Sequence, residues 1–182
     1  MTGELGKLLK NLTPLSGEEL TWAGGMRLRV NVYVTSALPD LSYVTSVRTI
    51  LLTDAGCAFL TNADGTHVIP GGRRRPSEAI RDTLRREIRE ETGCVITTSK
   101  QLGFLHFRHL TPKPVDYAYP YPDFVHALFA ARGVPSSDFH GDPDGYETTL
   151  GFVPFSELGR LDIPSYQRVL VDAALQELAK SG

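Results

Sequence analysis

The sequence predicts a mixed α/β sandwich, in which helices pack against a curved β-sheet. Three observations support this fold class. Apolar and polar residues alternate over 26–35, a helical period begins after residue 77, and further apolar runs are bounded by glycine, asparagine or proline. With 182 residues, of which 41% are hydrophobic, the chain has the size and composition of one domain with a buried core.

The composition argues against several classes of protein. A net charge of −2 disfavours a wide nucleic-acid-binding surface. Cys57 and Cys94 have no metal-ligand spacing and provide no disulfide framework, which favours a reducing cytoplasm. The N-terminus is too charged for a signal peptide, and no window approaches the roughly 18 apolar residues of a membrane span. We therefore expect a cytoplasmic protein that contacts no membrane.

Strands dominate the predicted first part of the chain. Residues 3–11 predict a short helix, and 16–20 predict a further helical turn. In 26–35 the apolar side chains fall on one face and the polar ones on the other, which is typical of a half-buried strand. Residues 43–53 predict a second strand, and a glycine-containing turn leads from it into a third strand at 57–61.

A helix and further strands are predicted after residue 76. Ser77 is expected to cap a helix that stops at Gly93 in a left-handed conformation. Strands are expected over 94–110 and 124–132, on either side of a loop rich in proline and tyrosine. A polar loop, a strand and a C-terminal helix follow at 134–147, 149–155 and 164–180.

The acidic residues of the helix lie close to its apolar face. At about 100° per residue, the buried stripe is formed by Ile80, Leu84 and Ile88. The glutamates that fall within or beside this stripe are Glu87, Glu90 and Glu91. The opposite arc is occupied by Arg81, Arg85, Arg86 and Arg89. Because carboxylates beside a core need positive partners, the pattern indicates either a divalent cation or a network of ion pairs.

The loop before the helix favours an anionic ligand. Gly71 and Gly72 allow the backbone to approach a ligand closely, and the arginines at 73–75 add positive charge. Together with a carboxylate-lined helix, this loop provides both parts of a phosphoryl-transfer site, namely a metal-binding cluster and donors for phosphate oxygens.

These residues resemble the signature motif of the Nudix hydrolase family, a spaced pattern of glycine, glutamate and arginine. The seven specified positions are Gly72, Glu78, Arg86, Glu87, Glu90, Glu91 and Gly93, with Ile88 and Cys94 in the two apolar places. Arg75 and Ser77 replace an acid and a glycine that are often found in this loop, which makes the substrate harder to predict.

The resemblance implies a Nudix-like α/β/α sandwich with a curved mixed sheet. The length of the chain predicts a single domain over 1–182. Residues 1–35 lie outside the usual core of the family, and we expect them to form an N-terminal extension made of a short helix and an extra strand. That extra strand would offer an edge for a homodimer.

The resemblance also implies hydrolysis of a diphosphate bond in a nucleoside diphosphate-linked substrate. Such substrates include nucleotides, ADP-ribose, dinucleoside polyphosphates and nucleotide sugars. The implied ligands of Mg²⁺ or Mn²⁺ are Glu87, Glu90, Glu91 and a backbone carbonyl of Gly71 or Gly72. Arg86 would hold a neighbouring glutamate, and the general base would be Glu87 or Glu147.

Substrate contacts and rival functions complete the expectations. Arg73 and Arg74 are candidates for the phosphates, and Tyr119 and Tyr121 are candidates for stacking on a base. One alternative is a non-catalytic nucleotide sensor of the Nudix type. A second is hydrolysis of capped or triphosphate-ended RNA, against which the absence of a basic surface argues.

Overall fold

Helices cover both faces of a mixed β-sheet in the computed structural model, which describes residues 3–137 and 145–180. The helices are α1 (Glu4–Lys10), α2 (Ile80–Thr92) and α3 (Ser165–Ala179). The strands are β1 (Ser16–Trp22), β2 (Met26–Val34), β3 (Val44–Thr53), β4 (Gly56–Asn62), β5 (Gly65–His67), β6 (Gly71–Arg73), β7 (Cys94–His109), β8 (Asp123–Pro135) and β9 (Thr149–Val153). The predicted α/β/α sandwich is confirmed.

The centre of the sheet is formed by β3 and β8, which run parallel to each other. The order across the sheet is β1-β2-β7-β8-β3-β4-β5, while β6 pairs with β3 and β9 pairs with β4. Through the β3–β6 pairing, Gly72 lies opposite Val47 and Gly71 lies opposite Arg48. The predicted glycine pair is therefore held on the central strand, next to the helix that follows it.

Each face of the sheet has its own apolar core. On one face, Leu170 of α3 is fully buried and belongs to a cluster with Leu128 of β8. On the other face, Leu84 and Ile88 of α2 form a cluster with Leu9 of α1. None of the helices in the described ranges combines the length and the apolar character needed to cross a membrane.

The helical turn predicted at 16–20 is wrong, because these residues belong to strand β1. Their partner is β2, with Ser16 opposite Val32 and Trp22 opposite Met26. The two glutamates of this segment suggested a helical turn, but Glu19 instead receives hydrogen bonds from Arg27 and Arg29 of the neighbouring strand. Cross-strand pairing of this kind overrides weak local propensity.

The predicted N-cap of α2 is also wrong. Ser77 adopts a φ of 63°, the helix begins at Ile80, and Ala79 is the cap residue. The side chain of Glu78 accepts hydrogen bonds from the backbone N–H of Arg75 and the hydroxyl of Thr83. Glu78 thus organises the entry to the helix in place of Ser77. The predicted stop is confirmed, since Gly93 has a φ of 64° in the left-handed region.

The region expected to be an N-terminal extension contributes two strands rather than one. β2 pairs along its length with β7, from Leu28 opposite His109 to Val34 opposite Gly103. Its inward side chains Leu28, Val30 and Val32 are fully buried. The β1–β2 hairpin is therefore a continuous part of the sheet. Residues 138–144 of the predicted polar loop lie outside the described residues.

Substitution of Gly103 by alanine should strongly destabilise the protein. Gly103 has a φ of 153° and lies where the register of β7 shifts against β8. A Cβ atom at this position would overlap with the backbone carbonyl oxygen of Tyr33 in β2. Because backbone must move to accommodate it, we expect the free energy of unfolding to fall by about 2 kcal/mol or more, measured by urea denaturation.

The matched control is Gly159→Ala. Gly159 is not at positive φ, and a Cβ atom there would meet no atom within 4 Å. We expect this control to change the free energy of unfolding by no more than about 0.5 kcal/mol. Equal effects of the two substitutions would contradict the close approach between β2 and β7 at Gly103.

Candidate active site

The acidic face of α2 lies against the glycine pair of β6. Glu87 is buried with 9% of its surface exposed, and a Cβ atom on Gly72 would overlap with its carboxylate. The backbone N–H of Gly71 donates to Oε2 of Glu91 at 2.6 Å. Glycine at 72 is thus required for α2 to bring Glu87 up to the β6 backbone. The predicted position of the acids beside the core is confirmed for Glu87.

The outward arginines of α2 follow the helical projection with one exception. Arg81, Arg85 and Arg89 are exposed. Arg86 was predicted on the same outward arc, but only 17% of its side chain is exposed because the long guanidinium group turns back towards the acids. A helical projection places Cα–Cβ bonds and cannot predict this turn.

Arg86 connects the acidic residues to one another. Its Nε and Nη2 atoms donate to the two carboxylate oxygens of Glu78 at 2.8 and 2.9 Å. Its Nη1 atom donates to Oε1 of Glu87 at 2.6 Å and to Oε2 of Glu90 at 2.9 Å. Nη2 also donates to the backbone carbonyl of Arg73 at 3.0 Å. One guanidinium group therefore fixes the entry loop, β6 and the acidic turn of α2.

The carboxylates of this network have opposite electrostatic environments. The hydrogen bond from Arg86 lowers the pKa of Glu78 to about 2. Burial raises the pKa of Glu91 to about 8, and the neighbouring charges of Glu147 and Glu87 act in the same direction. Burial also raises the pKa of Glu87, an effect opposed by its hydrogen bond from Arg86. The acids nearest the core are therefore short of positive charge.

Arg48 of β3 is a second basic group beside these acids. Its Nη1 atom donates to the backbone carbonyl of Gly71. Its charge lowers the pKa of both Glu91 and Glu87. The carbonyl of Gly71 was predicted as a metal ligand, and in this structure its partner is Arg48.

Glu147 reaches the same site from the segment before β9. Only 4% of its side chain is exposed, and its Oε1 atom contacts Nε2 of His67 at 3.1 Å and Nδ2 of Asn62 at 3.2 Å. Because its charge raises the pKa of Glu91, the two carboxylates lie close enough to repel each other. The charges of both candidate bases, Glu87 and Glu147, thus raise the pKa of Glu91.

A cavity of about 200 Å³ opens beside β6. It is lined in part by Trp22, Ser46, Arg73, Tyr119, Phe124 and His126, and we call it the aromatic cavity. The guanidinium carbon of Arg73 lies 5.0 Å from the centre of the Tyr119 ring. Two predicted substrate-binding residues, Arg73 and Tyr119, therefore meet at its wall.

The other two predicted substrate-binding residues lie elsewhere. The Tyr121 ring packs 5.1 Å from the His109 ring, and its hydroxyl donates to the carbonyl of Thr111. The guanidinium group of Arg74 donates to the backbone carbonyls of Leu41, Val44 and Glu78. Arg74 thereby braces the loop before α2.

Comparison with protein families shows which family this chain belongs to. The model of the NUDIX domain matches residues 43–173, which is well over half of the chain. The chain belongs to the Nudix hydrolase family. The predicted membership is therefore confirmed. No protein of curated function matches this Nudix chain closely enough to be counted as a relative.

Solved structures show the same fold at low sequence identity. A pyrophosphohydrolase from Bacillus subtilis is 17% identical with a TM-score of 0.57, covering 91% of this chain and 98% of its own. The NUDIX domain of Shewanella oneidensis NrtR, solved with ADP ribose, is 15% identical with a TM-score of 0.54, covering 74% and 88%. An ADP compounds hydrolase is 14% identical with a TM-score of 0.53, covering 94% and 96%.

The side chains of this Nudix site fit a hard divalent cation in their chemistry, although they are arranged around arginine. Within 3–137 and 145–180, no three His, Cys, Asp or Glu side chains are grouped so that they could hold a metal ion. Glu87 and Glu90 instead both pair with Arg86. The donors are nevertheless oxygen atoms, and burial leaves Glu91 and Glu87 in need of positive charge. A cation would satisfy that need after side-chain rotation.

Arg48 and His67 were not predicted as site residues, although each stands in a sequence context that could have indicated a site. Arg48 is a charged residue within the apolar run 44–53, where burial of an unpaired charge is costly. His67 precedes the buried pair Val68 and Ile69 in a short apolar run. Trp22 of the hairpin stands in no such context, since it lies between the predicted turn at 16–20 and the predicted strand at 26–35.

Proposed function

We propose that this Nudix protein catalyses metal-dependent hydrolysis of a diphosphate bond in a nucleoside diphosphate-linked substrate, with water attacking phosphorus. The observation that carries the proposal is the meeting of Glu87 and Glu91 with the Gly71-Gly72 backbone in a buried environment. Buried carboxylates that are short of positive charge favour a bound cation, and such a cation attracts the oxygens of a diphosphate.

Each residue has a defined part in this proposal. Glu87, Glu90, Glu91 and a carbonyl of Gly71 or Gly72 would hold Mg²⁺ or Mn²⁺. Such an ion neutralises diphosphate oxygens and lowers the pKa of bound water. Arg86 holds Glu78 by two parallel hydrogen bonds and keeps β6 and α2 together. Arg73, the residue that follows Gly72, is the candidate donor to a phosphate.

Glu147 is the better supported of the two candidate bases. Glu87 accepts a 2.6 Å hydrogen bond from Arg86 and is also a proposed metal ligand, so its lone pairs have other partners. Glu147 is held by Asn62 and His67, neither of which is a proposed ligand. A general base must be oriented towards water and not committed to a cation.

The test is a hydrolysis assay on a substrate panel with a coupled phosphatase to release phosphate. The panel contains nucleoside di- and triphosphates, ADP-ribose, dinucleoside polyphosphates and nucleotide sugars. We expect hydrolysis of at least one class in Mg²⁺ or Mn²⁺ and no hydrolysis in excess chelator. Glu147→Gln should lower kcat about 10²- to 10⁴-fold in saturating metal.

Asp82→Asn serves as the matched control, because Asp82 lies on α2 with 67% of its side chain exposed. It should leave kcat unchanged. Full activity in chelator would refute metal dependence. Binding of ADP-ribose or another panel member without turnover in either metal would support the alternative of a nucleotide sensor.

Two further parts of the proposal concern assembly and location. The strand predicted to offer the dimer edge, β2, is paired on both sides by β1 and β7, so that prediction is wrong and the edge proposed for a homodimer is that of β1, at one end of the strand order. Sedimentation velocity would measure the mass of the particle directly. A reducing cytoplasm is the proposed location, which suits the free and buried cysteines Cys57 and Cys94.

A further inference from the structure

We infer that the aromatic cavity binds the planar heterocycle of the substrate, a nucleobase, with Trp22 of the β1–β2 hairpin and Tyr119 as stacking walls. This inference rests on the proposed function, because it names the group that is attached to the diphosphate. Trp22 lies outside the segment matched by the family model, which begins at residue 43. The Trp22 wall is therefore a feature of this chain's own hairpin.

The size of the aromatic cavity suits a single ring system. Its volume of about 200 Å³ is below the roughly 300–1,000 Å³ of sites that hold a complete drug-sized ligand. A whole dinucleotide would not fit, whereas one heterocycle would. The remainder of the substrate must extend out of the cavity.

Its walls are aromatic on two sides. Trp22 is 39% exposed and packs against Phe107 and Phe124, with ring centres 5.4 and 6.0 Å away. Phe107 and Phe124 are themselves stacked at 4.9 Å with an angle of 5° between their planes. Trp22 is thus backed by a rigid aromatic pair and is preorganised to receive a further ring.

Tyr119 forms the second wall and is also held in place. The Arg73 guanidinium lies over one face of its ring, and the Tyr117 ring lies 5.5 Å from its centre. Stacking on fixed aromatic side chains is tolerant of base identity, because every base has a π-face. The walls therefore predict affinity for heterocycles in general.

The polar groups of the cavity are suited to the edge of a neutral heterocycle. Ser46 and His126 are buried and lie opposite each other in the β3–β8 pairing. Burial lowers the pKa of His126, and the neighbouring charges of Arg48 and Arg73 act in the same direction. A neutral imidazole offers one donor and one acceptor, and a serine hydroxyl offers both, which matches the mixed edge of a base.

The cavity and the acidic residues lie on the two sides of strand β6. Arg73 lines the cavity, whereas a Cβ atom added to the preceding residue, Gly72, would meet the Glu87 carboxylate. Successive side chains of a strand point to opposite faces, so a substrate with its heterocycle in the cavity must pass around β6, beside Arg73, to bring its phosphates to the acids. Among the described strands β6 pairs with β3, which leaves its other side for this path.

Trp22 allows this inference to be tested without catalysis, since it is the only tryptophan in the chain. The intact wild-type protein in excess chelator is titrated with AMP while its tryptophan fluorescence is followed. Ribose 5-phosphate, which carries the same sugar phosphate without the base, is the matched ligand. We expect saturable quenching by AMP or another nucleoside monophosphate and none by ribose 5-phosphate.

Two variants of the Tyr119 loop sharpen the test. Tyr119→Ala should weaken the binding of the quenching nucleotide roughly tenfold or more. Val115→Ala should not change it, since Val115 is 91% exposed in the same loop and does not line the cavity. Trp22→Ala, which removes the reporter, is assayed by hydrolysis, and we expect KM to rise at least about tenfold with kcat within about threefold.

The outcomes separate this inference from the proposed function. Absence of quenching by all four common nucleoside monophosphates, or equal quenching by ribose 5-phosphate, would overturn the inference even if hydrolysis is observed. Quenching that Tyr119→Ala weakens and Val115→Ala does not would support it even if the panel assay shows no turnover.

Discussion

Replacement of Glu91 by glutamine should abolish hydrolysis while making the metal-free protein more stable at neutral pH. The variant loses a proposed metal ligand, and a loss of about 4 kcal/mol in transition-state stabilisation corresponds to roughly a thousandfold fall in kcat/KM. Glutamine retains an oxygen that can accept the hydrogen bond from Gly71, so the packing of α2 against β6 should persist. The two measurements are steady-state kinetics and thermal unfolding in chelator.

The gain in stability follows from the raised pKa of Glu91. Its folded-state pKa of about 8 lies above the ordinary 4.5, so the folded protein binds more protons than the unfolded chain between these values. Stability of the wild type therefore falls as pH rises from 4.5 to 8. At pH 7 the variant should avoid a cost on the order of 2–3 kcal/mol, which corresponds to a Tm higher by roughly 5–10 °C.

Two comparisons make this prediction specific. Below pH 4, where wild-type Glu91 is neutral, the two proteins should unfold at nearly the same temperature. Saturating Mg²⁺ should raise the Tm of the wild type and leave that of Glu91→Gln almost unchanged. An active Glu91→Gln variant would contradict the role of Glu91 as a metal ligand. A variant that is less stable than the wild type at pH 7 would contradict the buried environment assigned to Glu91.

Replacement of Arg86 by alanine should produce the largest loss of stability within α2. The substitution removes one guanidinium group and leaves the carboxylates of Glu78, Glu87 and Glu90 without their shared partner. Loss of one member of a mostly buried ion-pair network costs about 3–5 kcal/mol. We expect a decrease of this size in the free energy of unfolding, measured by urea denaturation at pH 7.

The dependence of the free energy of unfolding on pH below 4.5 should also change in Arg86→Ala. Glu78 has its pKa lowered to about 2, so its contribution is complete above pH 4.5 and is lost as pH falls through 2. Wild-type stability should therefore decline over this window, and the decline should be shallower in Arg86→Ala.

Arg85→Ala is the matched control, because Arg85 is the preceding residue with 64% of its side chain exposed and bonds to Asp82 at 3.3 Å. An exposed pair of this kind contributes about 0–1 kcal/mol. Arg86→Lys keeps the charge but cannot reproduce the two parallel bonds to Glu78, and it should fall between the other variants. Equal stability of Arg85→Ala and Arg86→Ala would show that the Arg86 network does not stabilise the fold.

Local sequence patterns were sufficient to predict the elements in which the apolar periodicity continues over many residues. The α2 stripe of Ile80, Leu84 and Ile88, and the alternation of β2, depend on neighbours within one turn or one strand, so periodicity records them directly. The same projection placed the glutamates of α2 beside the core, and the spacing from Gly72 to Gly93 identified the family.

Features that depend on distant partners could not be read in this way. β1 is a strand because of its pairing with β2, and Ser77 loses the cap because Glu78 is tied to Arg86 eight residues away. The separation of Tyr119 from Tyr121 depends on the path of their loop. Long side chains such as those of Arg48 and Arg86 extend to neighbouring elements. The positions of their guanidinium groups depend on charged groups that the fold brings near, and not on the position of the residue in a helix or strand.

The continuous β1–β2–β7 sheet has a consequence for where this molecule can be divided. The family match begins at residue 43, yet β2 ends at Val34 and pairs with β7 from Leu28 to Val34. A fragment reduced to 43–173 would leave the outer backbone groups of β7 without partners and uncover apolar surface, which invites aggregation. We therefore expect the boundaries of a folding unit in this chain to lie outside the boundaries of the family match.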